Sequence, residues 1–135
     1  MSFKLREHTA DIAVEADGKT LEETFEAVAE GLTAAHSDSI PRVGERFTFA
    51  VEAESRDALL FDYLDELIYH RDVREVLPVD HRVSIDRRGQ FILEASARGV
   101  PFSEIDAREI KAVTYSEMEL ERTSSGWRAY VVFDV

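Results

Sequence analysis

A chain of 135 residues carries 16 Lys and Arg against 28 Asp and Glu, a formal net charge of −12 with neutral histidines. Hydrophobic residues make up 44% and cysteine is absent, so disulfides, thiolate zinc sites and cysteine nucleophiles are excluded, and one globular domain spanning 1–135 is expected. The acidity opposes strong direct nucleic-acid binding. The absence of an ~18-residue apolar run and of a signal-like N-terminus points to a cytoplasmic protein with no membrane segment.

The first periodic segment is Asp11–Ala16, where Ile12, Val14 and Ala16 alternate with Asp11, Ala13 and Glu15 as a strand does. Asp17-Gly18 turns the chain. Thr20 with Glu23 three residues on is a capping box, and Leu21, Phe25, Val28 and Leu32 follow at helical spacing, which predicts a helix over about residues 20–35. After Pro41 and Gly44, Phe47, Phe49 and Val51 alternate with polar or small residues as a second strand. Ser55 is placed to cap a second helix, with Asp57 in its first turn. That helix buries Leu59, Leu60, Tyr63, Leu64, Leu67 and Ile68 and leaves Asp62, Asp65 and Glu66 on a solvated face.

Two alternating segments, His81–Ile85 and Gln90–Ala95, read as a hairpin through Arg88-Gly89. A last pair runs from about Thr114 to Glu121 and from Trp127 to Val135. The order β-α-β-α-β-β-β-β predicts an α+β fold with two helices packed on mostly antiparallel sheet. Arg82, Arg87 and Arg88 give the hairpin a basic character diluted by Asp86.

Templates for nucleotide-binding loops, serine-nucleophile elbows, zinc-protease helices and EF-hands are all missing. His8, His36, His70 and His81 show no pair at i,i+4, and His36 and His70 fall near helix C-termini, where an imidazolium suits the dipole. Two aspartates stand out. Asp134 closes the apolar strand that ends the chain, and Val135 adds the terminal carboxylate beside it. Asp11 stands on the face of its strand opposite Ile12 and Val14. If the first and last strands are neighbours, Asp11, Asp134 and the Val135 carboxylate form an oxygen-only cluster, a donor set suited to Ca²⁺ or Mg²⁺ rather than zinc. Solvated strand-end aspartates are the alternative. Lys111 precedes a strand in a chain whose only other lysines are Lys4 and Lys19.

Four ordered motifs resemble the archease family: His8-Thr9-Ala10-Asp11 with the Gly18–Phe25 segment, the Leu59–Tyr69 helix, Lys111-Ala112-Val113-Thr114-Tyr115, and the Trp127–Val135 ending. The resemblance implies a non-enzymatic accessory protein that activates the RtcB-type tRNA-splicing RNA ligase. Such a protein promotes the ligase's guanylylation and multiple turnover and broadens its nucleotide use. It further implies a divalent cation, Ca²⁺ above others, on Asp11, Asp134 and Val135, with His8 and Lys111 as functional or partner-contacting residues. Other readings of the same residues are a stand-alone metal-dependent phosphoester hydrolase, with His8 as base, and a general chaperone-like interaction module.

Overall fold

The computed structural model describes residues 2–7 and 11–135. Ser2–Glu7 forms β1, a strand beyond those expected, which pairs antiparallel with β2 (Asp11–Gly18) and sets Phe3 opposite Ala16 and Leu5 opposite Val14. Its alternation of Phe3 and Leu5 with Lys4 and Arg6 is too short to stand out in sequence; the edge of β2 gives it a partner. Helix α1 (Leu21–His36) starts where the capping box places it. Thr20 Oγ1 accepts from the Glu23 amide at 3.1 Å, while the Glu23 carboxylate accepts from the Lys19 amide at 3.0 Å, one residue earlier than the usual reciprocal bond.

β3 (Glu45–Ala53) leads to α2 (Arg56–Arg74), whose first turn is capped by Ser55 Oγ accepting from the Ala58 amide at 3.1 Å. β4 (Val76–Arg88) and β5 (Gln90–Pro101) form the expected hairpin but run well beyond its sequence limits. A bulge with Asp80 at φ 53° separates the two registers of β4. β6 (Ala112–Thr123) and β7 (Gly126–Asp134) complete the chain.

The strands divide into two sheets, of order β1-β2-β7-β6 and β3-β5-β4, with every pair antiparallel. This is the α+β class expected, with one more strand and a division into two sheets that periodicity does not reveal. Both helices and both sheets share one core. Phe25 of α1, Tyr63 of α2 and Phe49 of β3 stack in sequence with ring centroids 6.0 Å apart, which locks the helices to the second sheet. The free edge of β4 is covered by α1: Glu30 accepts from the His81 amide and Glu26 from the Val83 amide, so those N–H groups are not open to another chain.

The register that matters most lies in the first sheet. β2 and β7 pair over their whole length, from Asp11 opposite Asp134 to Gly18 opposite Trp127. At the second end Gly126, at φ 150°, comes so close to Gly18 that a Cβ there would stand 2.1 Å from the Gly18 carbonyl oxygen. Only glycine lets the two turns meet.

Candidate functional site

Strand alternation puts Ile12, Val14 and Ala16 of β2, with Ala129, Val131 and Phe133 of β7, into the core. The intervening residues lie on the other face of the sheet, where Ala13 and Val132 are also buried, so Asp11 and Asp134 share that face and, by register, stand directly opposite each other at the end of the ladder. Side chains so placed have Cβ atoms ~5 Å apart, and like charges there repel. Asp134 is exposed, whereas Asp11 is half-buried and its Oδ1 is buried with no hydrogen-bond partner among the described residues. A buried carboxylate oxygen left without a donor calls for a cation or a bound group. The sequence expectation that these two residues are neighbours therefore holds in the register.

Val135 follows directly. Its side chain packs on the core, which fixes the end of the chain beside the pair. Among the described residues no three His, Cys, Asp or Glu side chains gather as a metal site. The two side chains that could hold a cation here are the carboxylates of Asp11 and Asp134, and hard oxygen donors of that kind match Ca²⁺ or Mg²⁺. His8 lies outside the described residues.

Lys111 is brought to the same end by its backbone: its amide donates to the Asp134 carbonyl at 2.8 Å, and Ala112 then opens the β6 ladder opposite Asp134. Its side chain is exposed and makes no ion pair among the described residues. By alternation it belongs to the parity of Val135 rather than to that of the two aspartates, so it borders their pair from the other side of the sheet.

The segment before Lys111 is tied down by a buried polar cluster that sequence reasoning missed. Arg71, on the apolar side of α2, is 8% exposed. Its guanidinium donates to the Ile110 carbonyl and, at 3.0 Å, to His36 Nε2. His36 Nδ1 in turn lies 2.8 Å from the Leu32 carbonyl, and the Arg108 amide donates to the His36 carbonyl at 2.7 Å. Ile110 itself is wholly buried. The loop that delivers Lys111 is thus held to the end of α1 and to α2. An arginine one turn beyond Leu67, in the stripe of buried leucines, was the available signal.

The helix-dipole reading of His36 is corrected by this cluster. Burial, helped by the adjacent Arg71 cation and opposed by the Leu32 carbonyl, lowers its pKa to about 4, so the imidazole is neutral. His70 is also lowered, by burial first and then by Arg74, against the pull of Glu66. His81, with Nε2 2.8 Å from Thr33 Oγ1, is pushed down to about 3 by burial.

β6 leaves regular pairing at Tyr115, the last residue of the Lys111 motif. Residues 115–118 stand opposite Val131 alone, with Glu117 at φ 62°. This bulge turns Tyr115 onto Phe61 of α2, with centroids 4.0 Å apart and planes 5° from parallel, while leaving Tyr115 53% exposed.

The model of the archease protein family (MTH1598/TM1083) matches residues 3–135. The chain belongs to the archease family. Protein archease of Pyrococcus furiosus is 36% identical over 136 residues, covering 96% of this chain and 95% of its own. Protein archease of Methanosarcina acetivorans is 37% identical over 139 residues, covering 98% and 95%. Among solved structures, that of Methanobacterium thermoautotrophicum protein 1598 superposes with a TM-score of 0.87 at 32% identity over 98% of both chains. An archease, possible chaperone, from Thermotoga maritima gives 0.68 at 28% identity over 98% of this chain and 96% of that one. The archease fold thus covers the carboxylate end, the Lys111 loop and the bulge alike. No helix among the described residues is long and apolar enough to cross a membrane.

Proposed function

We propose that this archease is a non-enzymatic activator of an RtcB-type tRNA-splicing RNA ligase, acting through the end of the β2–β7 ladder that carries Asp11, Asp134 and Val135. The observation that carries the reading is the like-charged pair with a buried oxygen: Asp11 opposite Asp134, Asp11 Oδ1 without a donor among the described residues. That arrangement costs stability in the free protein and is explained by a ligand that only a cation or a partner supplies. The three carboxylates would hold Ca²⁺, which when bound neutralises them and leaves a hard positive centre at the protein surface.

Asp11 and Asp134 approach the basic, phosphate-handling centre of the ligase, and opposite charge speeds that encounter. Lys111, exposed and held by the Arg71-anchored loop, faces phosphate on the ligase side. The chain promotes guanylylation and turnover by fitting this end against the ligase, in the cytoplasm where such ligases work.

The test measures guanylylation of the ligase by GTP with wild-type protein and with Asp11→Asn and Asp134→Asn, each checked for native fold by circular dichroism. Loss of stimulation by at least tenfold in folded variants is expected. Full stimulation by either would refute the site assignment, and hydrolysis of phosphoesters by the pure protein without ligase would favour an enzyme instead.

A further inference from the structure

At the opposite end of the same ladder, about seven residues and hence ~23 Å along β2 from Asp11, arginines gather among the acidic residues. Three exposed arginines from three different elements converge there on two rings. Arg56, the first residue of α2, has its guanidinium carbon 5.0 Å from the Phe91 ring centre and 5.4 Å from that of Trp127. Arg87, at the β4 end of the hairpin, lies 4.8 Å from Phe91, and Arg122, at the end of β6, lies 5.1 Å from Trp127. Lys19, exposed, adds a fourth cation: its Cα is 2.8 Å from where a Gly126 Cβ would stand.

None of Arg56, Arg87 and Arg122 forms an ion pair among the described residues, in a chain with 28 acidic residues. Glu54 and Asp57 flank Arg56 in sequence without pairing with it. Three other nearby carboxylates pair elsewhere: Asp86 binds Arg88 at 3.0 Å, and Glu119 and Glu121 both bind Arg128. Gathering three like charges without counter-charge is unfavourable unless an anion joins them. Packing each guanidinium against an aromatic ring fixes its plane; Arg87 and Arg122, exposed and each on one ring, keep N–H edges and a second face available, whereas Arg56 lies against both rings.

We propose that Arg56, Arg87 and Arg122, held on Phe91 and Trp127, form a binding surface for a strand of single-stranded RNA, with the guanidinium edges on backbone phosphates and the open faces of Arg87 and Arg122 under bases. An acidic peptide would satisfy the charges but leave the flat, ring-backed guanidinium faces unused, whereas stacking plus phosphate contact is how single strands are held. The surface rests on the geometry alone; the choice of RNA rests on the ligase reading. The two ends of the molecule then have separate tasks, the acidic end toward the protein partner and the basic end toward the strand being joined.

Binding is weak and salt-dependent, because a net charge of −12 opposes it everywhere else. The experiment uses the full chain without ligase and a fluorescently labelled single-stranded RNA of mixed sequence, read by anisotropy. Three phosphate contacts give a salt slope near −2, so affinity falls roughly 20-fold between about 50 and 200 mM salt. The Arg56→Gln/Arg87→Gln/Arg122→Gln variant loses at least tenfold in affinity at low salt. A control removing three other charges, Lys4→Gln/Arg42→Gln/Arg82→Gln, loses less than threefold. Equal loss in both variants, no binding by the wild type at low salt, or equal binding of a polyglutamate peptide would each overturn the proposal. If the triple variant is unfolded by circular dichroism, the same comparison is made with the single variant Arg122→Gln, expected to lose about threefold. Because no ligase is present, failure here leaves the activation assay standing, and failure there leaves this surface standing.

Discussion

Arg71 concentrates more structural consequence than any other charged residue described. It is 8% exposed and joins Ile110, His36 and Asp72. Arg71→Ala would strand a buried carbonyl and a buried imidazole at once, and should lower unfolding free energy by about 3 kcal/mol, measured by urea denaturation. Because the same residue anchors the loop to Lys111, hydrogen exchange at residues 108–111 should accelerate in that variant while the β2 amides stay protected. The buried histidines set the pH response. In the unfolded chain they take up protons near pH 6.5, but in the native state His36 resists to about 4 and His81 to about 3. Their folded pKa values are depressed, so the unfolded state binds more protons, and stability falls as pH drops from 6.5 toward 4. Glu26 and Glu30 act in the opposite sense, since burial raises both, but their amide bonds to β4 limit that rise. The urea midpoint should therefore be lower at pH 5 than at pH 7, and His81→Gln should reduce the difference.

At the scale of elements, the caps and periodicities were legible and the bends were not. Ser55 and Thr20 cap the helices as their spacing predicts, because a hydroxyl before an apolar stripe has one local use. Ser55→Ala should cost about 1 kcal/mol, seen as a lower thermal midpoint with unchanged native spectra. The β2–β7 pairing entered the sequence reading only as a condition for bringing two aspartates together; the fold supplies it, and the ladder's register depends on the whole sheet. β1 escaped notice because only Phe3 and Leu5 mark it, and the 115–118 bulge because bulges leave no periodic trace. His36 was misread as a dipole partner since sequence shows a helix end but not the arginine 35 residues away that covers it. The arginine–aromatic end was equally hidden: Arg56, Arg87 and Arg122 belong to three elements and meet only in the fold.

On the scale of the molecule, the ladder of β2 and β7 is an axis with unlike ends. One end sets Asp11 opposite Asp134; the other gathers Arg56, Arg87, Arg122 and Lys19. Removing one charge of the acidic pair relieves repulsion in the free protein, so Asp134→Asn should leave apo stability unchanged or raised by up to ~1 kcal/mol. The wild type should gain several degrees in thermal midpoint with saturating Ca²⁺, and the variant none. A wild-type midpoint unmoved by Ca²⁺ would remove the cation from the site. The most direct test of the central claim is a multiple-turnover RNA ligation assay with the RtcB-type ligase limiting, run with wild-type protein and with Asp11→Asn/Asp134→Asn. Continued product formation beyond one equivalent of ligase with the wild type, and arrest near one equivalent with the folded double variant, is the predicted result. Equal turnover with both proteins would contradict it.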